Sequence, residues 1–122
     1  MNNTEHIKNC GQAYQKASEI EEKGLRYNDG KLKWTLIDYN ALEPLVEVLE
    51  FGTKKYSENN WKKGLYVTDI CDSLLRHIYS FLNGENNDKE SKLPHIGHIL
   101  ANSMFLSYML KNKPELDNRH KK

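Results

Sequence analysis

Cysteine, net charge and long apolar runs are all scarce in this chain, and each scarcity removes a class of protein. Cys10 and Cys71 are the two cysteines among 122 residues. Neither belongs to a CxxC or CxxH spacing of the kind that marks zinc, so both read as free buried thiols. The opening MNNTEHIKNC is polar where a secretory signal needs an apolar stretch. No run approaches the roughly 20 apolar residues that span a bilayer. The expected location is the cytoplasm, with no membrane partner. Lys and Arg number 18 against 17 Asp and Glu, a net charge of +1. Duplex binding needs many phosphate-neutralising cations on one face, which near-neutrality permits only by local clustering, so nucleic acid is not the expected partner. There is no GxxxxGK[ST] loop, which excludes a P-loop enzyme.

What is present is helical periodicity. Hydrophobic residues make up 38% of the chain, enough for one core, and no segment sustains the two-residue alternation of a half-buried strand. Residues 4–23 read as a first helix with a narrow stripe, Ile7, Cys10, Tyr14, Ala17 and Ile20, suited to a peripheral or oligomerising role. Asn28-Asp29-Gly30 marks a turn, and Lys31 to Ile37 reads as a short extended piece. A second helix is expected from Tyr39 or Asn40 to about Tyr56, with Asp38 as its cap and Pro44 in its first turn. A third starts at Thr68 or Asp69 and carries Ile70, Cys71, Leu74, Leu75, Ile78, Phe81 and Leu82. A fourth follows Leu93-Pro94 and ends near Lys111. The implied fold is all-α, a small bundle of about four helices forming a homo-oligomer. It divides into an N-terminal helix (1–23), a helical core (24–112) and a flexible basic tail (113–122).

Several constellations could carry chemistry. Glu43, Glu47 and Glu50 recur at steps of four and three and so share one helix face, while Asp69 and Asp72 lie three apart on the third helix. Two such helices facing each other could cage magnesium, a hard cation that takes oxygen ligands; acidic residues on helices also commonly do no more than solvate an outer face. His95, His98 and Asn102 form a line on the fourth helix, with His77 beside Arg76 on the third. Such a line implies either a ligand or a hydrogen-bond network between helices. HxxH alone, without a third ligand at a diagnostic spacing, is not a zinc signature. Arg26, Lys31 and Lys33 surround Gly30, and Lys54, Lys55, Lys62 and Lys63 accompany Tyr56, Asn60 and Trp61. Cations, backbone donors and aromatic rings together suit phosphate capture with a stacked base, although aromatics beside lysines also serve as core anchors.

Five segments in order carry a resemblance: Arg26-Tyr27-Asn28-Asp29-Gly30-Lys31; Gly52-Thr53-Lys54-Lys55-Tyr56 to Asn60-Trp61; Leu74-Leu75-Arg76-His77; Gly84-Glu85 to Asp88; and Leu93-Pro94-His95 to His98 to Asn102. Together they resemble the phage-associated N-terminal domain of dATP/dGTP diphosphohydrolases, over about residues 24 to 108. The resemblance implies a nucleotide ligand and conversion of a purine deoxynucleoside triphosphate to its monophosphate and pyrophosphate. It also implies a more distant likeness to all-α MazG-like enzymes, whose pattern is EExxE followed by ExxD. Here Glu47-Val-Leu-Glu50 and Asp69-Ile-Cys-Asp72 echo that pattern, with Val46 at the first Glu position and Asp69 in place of the other Glu. On this likeness Glu47, Glu50 and Asp72 hold Mg2+ on the triphosphate, and Lys31, Lys55 and Arg76 neutralise phosphate charge. His77 or a carboxylate orients water, and Arg26, Tyr56, Asn60, Trp61, His95, His98 and Asn102 complete the nucleotide site. Two other readings stay open: a non-catalytic sponge for host immune cyclic nucleotides, and a structural or regulatory module.

Overall fold

The computed structural model describes residues 24–121; the helix expected over 4–23 lies outside them. The chain separates at Trp34 into two compact units. In the first, the described residues before Trp34 carry no regular element apart from a turn at Asn28–Lys31, where the Lys31 amide donates to the Asn28 carbonyl at 3.0 Å and Gly30 takes a φ of +78°. The second unit begins at Thr35 and contains three helices: α1 (Glu43–Lys55), α2 (Val67–Leu82) and α3 (His95–Asn112). No strand occurs among the described residues; the pairing of Asn87 with Pro94 is a single bridge. The stretch around Trp34–Leu36, expected to be extended, forms a 3-10 turn. No described helix is long and apolar enough to cross a membrane.

Local chemistry sets the helix boundaries. The Asp38 carboxylate accepts from the Ala41 amide at 3.2 Å at the entrance to the 3-10 turn Asn40–Leu42. Contrary to expectation it does not cap α1, whose N-cap is Leu42 with no side-chain hydrogen bond, and Pro44 sits in the first turn of α1, where a missing N–H costs little. At the far end of α2, Gly84 adopts a φ of +92° and lets the Glu85 amide reach back to the Ser80 carbonyl at 3.0 Å. That is the closure glycine favours past a helix C-terminus, because a Cβ would be strained there.

Helix α3 packs against both α1 and α2 and is the central element. Val67, Ile70 and Met109 are the buried heart of its contact with α2, ringed by Trp61, Leu65, Leu74, Phe105, Tyr108 and Leu116. Each such buried side chain contributes roughly 1.5–3 kcal/mol relative to exposure. On the α1 side, Gly97 permits a close crossing: a Cβ at that position would lie 2.5 Å from the Pro44 carbonyl oxygen and 2.9 Å from Val48 Cγ2. Outward, α2 leaves Leu75, Ile78, Tyr79 and Leu82 exposed in one line.

The segment after Asn112, expected to be a solvated flexible tail, folds back instead. Pro114–Leu116 makes a 3-10 turn, Leu116 joins the core, and the Asn118 side-chain oxygen accepts from the Thr68 amide at 3.1 Å, fifty positions away. Arg119 grips Asp117 through two nitrogens, and those side-chain hydrogen bonds hold the Asp117 carboxyl down to about 2. Helix α2 thus takes its N-terminal cap from the far end of the chain. Asn118→Ala is expected to lower stability by about 1 kcal/mol, the usual worth of such a cap, measured as a lower denaturation midpoint with an unchanged slope.

Candidate functional site

A cavity of about 970 Å³ opens among the three helices of the second unit. Its walls follow from helix phase. From α2 come Ser73, Arg76, His77 and Ser80, at steps of three, one and three; from α3 come His95, His98, Asn102 and Phe105; from α1 come Val48, Gly52 and Lys55. The connection before the 3-10 turn Asn60–Lys63 adds Tyr56, and that turn adds Asn60 and Trp61. The Asn83–Pro94 connection adds Glu85, Asp88, Lys89, Glu90 and Ser91.

That second connection is tightly tied. The Asp88 amide donates to the Leu93 carbonyl at 2.8 Å, and the His95 amide to the Asn86 carbonyl at 2.8 Å. One oxygen of the Asp88 carboxylate accepts from the amides of Glu90, at 3.1 Å, and Ser91, at 2.9 Å. A loop closed by its own backbone and by an aspartate holds its side chains in fixed places.

Three imidazoles meet at the polar end. His95 is 2% exposed. Its Nε2 lies 2.9 Å from Glu85 Oε1, and its Nδ1 lies 2.8 Å from His77 Nδ1. His98 stacks on His77 with ring centroids 4.4 Å apart and planes 3° from parallel, and its Nε2 meets Ser91 Oγ at 2.7 Å. Burial lowers the pKa of His77 and His98 from the ordinary imidazole value; His98 depresses His77 further, whereas Asp88 opposes the fall at both. At neutral pH both rings are therefore neutral and can accept a proton. Burial pushes the Asp88 carboxyl upward, but hydrogen bonds from the Ser91 backbone and side chain outweigh it and keep the group below the usual aspartate value.

The remaining candidates divide. Arg76 and Tyr56 line the cavity and are exposed. Lys55 also lines it, forms an ion pair with Glu90 that raises its pKa, and places its ammonium 5.4 Å from the Tyr56 ring. Trp61 stacks on Phe105 at 4.7 Å and meets Tyr108 edge-on at 4.9 Å; it is a packed wall of the cavity, the anchor role that aromatics beside lysines commonly take. Asn102 donates to Ser73 Oγ at 3.1 Å and to the His98 carbonyl at 2.9 Å, linking α3 to α2. Arg26 and Lys31 belong to the other unit and are exposed.

Glu47, Glu50 and Asp72 are exposed and lie outside the cavity lining. Helix rotation explains this: Val48 and Ser73 face inward, so the residues one step before them, about 100° away, turn outward, and Glu50 is farther round still. Among the described residues, the His, Cys and carboxylate side chains that converge within ligand range of one another are His77, Asp88 and His95, all within 4.8 Å. Glu47, Glu50 and Asp72 do not form such a converging group among the described residues. Reading 83–92 as a charged connection leaves Glu85, Asp88 and Ser91 out of the candidate set. The legible signal was two acids seven and ten residues before a helix-initial histidine, in a loop short enough to return them to it.

Comparison with known proteins decides the family. The family described as dATP/dGTP diphosphohydrolase, N-terminal, matches residues 21–119. The chain belongs to it. A dATP/dGTP diphosphohydrolase of Salmonella phage PMBT28 is 32% identical over 96 residues, covering 79% of this chain and 33% of that protein. The chain thus spans about a third of the length of this relative of the dATP/dGTP diphosphohydrolase family. No solved structure matches.

Proposed function

We propose that the cavity receives a purine deoxynucleoside triphosphate and that the chain serves, as a phage protein, in releasing pyrophosphate from it. The observation that carries this reading is one open cavity with a polar end of three histidines, Arg76 and Lys89, and a wall of Trp61, Phe105 and Tyr56. Its volume lies within the range of small-molecule sites. The likeness to the phage dATP/dGTP diphosphohydrolase supports the same reading. The phosphates lie at the histidine and Arg76 end, and the base lies along the aromatic wall. In hydrolysis, water attacks the α-phosphorus and the bond to the bridging oxygen breaks, so that pyrophosphate leaves. His77 or a cavity carboxylate orients the attacking water, and the proton that this water loses passes to solvent.

A second reading has an observation of its own. Because Glu47, Glu50 and Asp72 are outside the cavity lining, the pocket can hold a nucleotide without the carboxylate cage that MazG-like hydrolysis uses, which suits a sponge for cyclic nucleotides. Incubation of the full chain with dATP, dGTP and a panel of cyclic nucleotides, with magnesium and separately with manganese, followed by chromatography, separates the two. Monophosphate and pyrophosphate from dATP or dGTP are expected. Depletion of a cyclic nucleotide that heat denaturation reverses, without new products, would instead establish the sponge.

A further inference from the structure

Two features of the cavity have no role in the reading above: the direct approach of two imidazole nitrogens, and an excess of negative charge. The lining carries three fixed cations, Lys55, Arg76 and Lys89, against four carboxylates, Glu58, Glu85, Asp88 and Glu90, and Lys55 is already paired with Glu90. The lining as a whole thus carries one more fixed negative than positive charge, and a polyanion would be favoured by additional positive charge in the cavity.

The imidazole geometry shows where such charge would sit. With the Glu85 carboxylate against it, Nε2 of His95 carries the ring proton, and Nδ1 therefore presents a bare lone pair. That lone pair faces His77 Nδ1 at 2.8 Å, and one nitrogen of each ring and one Asp88 carboxylate oxygen all lie within 4.8 Å of one another. Nitrogen and oxygen ligands about 2.1 Å from one ion stand roughly 3 to 4 Å apart, so the two imidazole nitrogens would open slightly and the carboxylate would close slightly around an ion. Metal-bound histidines characteristically give their other N–H to a carboxylate, as His95 does to Glu85. When His77 turns its own Nδ1 lone pair inward, its proton moves to Nε2, so the ring stays neutral. His98, stacked on His77 and held by Ser91, fixes the plane of that ring.

We infer that His77, Asp88 and His95 bind one divalent transition-metal ion, with Glu85 as the positioning partner of His95. Two imidazoles and one carboxylate select ions of the manganese, iron, cobalt or zinc kind over magnesium or calcium, which favour all-oxygen shells, and they leave coordination positions open. The inference rests on the cavity reading only in that His77, Asp88 and His95 line the cavity assigned to the nucleotide. Metal binding is measurable without nucleotide, so the two can fail separately.

The test is calorimetric titration of the tag-free, chelator-treated full chain with Co2+ and Zn2+, with Mg2+ as the control and the visible spectrum of the cobalt form recorded. One ion per chain is expected, with cobalt bands and no competition from Mg2+. Asp88→Asn and His95→Gln should each weaken binding by about a hundredfold or more. Glu85→Gln should weaken it by about 10- to 100-fold, the usual effect of removing a ligand's partner. His120→Gln, an exposed histidine elsewhere, should leave it unchanged. If His95→Gln fails to fold, the nearly isosteric Asp88→Asn decides. Absence of Co2+ binding, or undiminished binding by Asp88→Asn, would overturn the site. Metal binding without nucleotide binding would instead overturn the proposed function alone.

Discussion

Gly97→Ala is expected to destabilise the protein by about 1 kcal/mol, a fall in melting temperature of roughly 5 °C for a domain of this size. Two effects oppose each other. Alanine is the better helix former and gains about 0.5–1 kcal/mol in a helix interior. Against this, its Cβ would meet the Pro44 carbonyl oxygen at 2.5 Å, an approach that real Cβ atoms essentially never make. The atom in the way is backbone, so no rotamer change relieves the clash, and α1 must move away from α3. Overpacking of this kind typically costs 1–3 kcal/mol, which outweighs the propensity gain. The displaced helix carries Val48, Gly52 and Lys55 of the cavity wall, so the variant should also weaken ligand binding. A melting temperature equal to or above that of the parent would show that α1 and α3 do not cross this closely.

Much of this fold is legible in the chain itself. Periodicity places α2, α3 and the end of α1 to within a residue or two, because their apolar positions recur at helical steps; α1 itself starts at Glu43, three or four residues later than expected, after a 3-10 turn that Asp38 and Pro44 flank. What local pattern cannot show is partnership across distance. The cap of α2 comes from Asn118, and Leu116 finds its place in the core only once α2 and α3 are packed. The candidate site divides along the same line. The histidine line on α3 is readable as a spacing, and its link to His77 requires only that two helices lie side by side. The contributions of Glu85 and Asp88 depend on the hydrogen-bonded closure of the Asn83–Pro94 loop, which a run of charged residues does not announce. Spacing does put Glu43, Glu47 and Glu50 on one helical face. Which face is decided by the rotation that buries Val48, and the glutamates are exposed.

The second large effect concerns the nucleotide. Arg76→Ala should weaken dATP or dGTP binding by roughly ten- to a hundredfold, about 1.4–2.8 kcal/mol. Arg76 reaches the cavity with no carboxylate bonded to it among the described residues, unlike Lys55, and its planar guanidinium can grip phosphate with two donors. Its exposure keeps the loss below that of a fully desolvated pair. The triple replacement Glu47→Gln, Glu50→Gln, Asp72→Asn removes three charges that lie outside the cavity lining. It should change affinity by less than about threefold, in the tightening direction, since distant surface charges are screened at physiological salt.

The most direct measurement is therefore a parallel calorimetric titration of dGTP and dATP, with manganese present, into the parent chain, Arg76→Ala and that triple variant. Binding lost in Arg76→Ala and kept in the triple variant is the outcome expected of a cavity at the histidine end of the three helices. Binding lost in the triple variant and kept in Arg76→Ala would place the nucleotide on the outer carboxylate face and contradict the account.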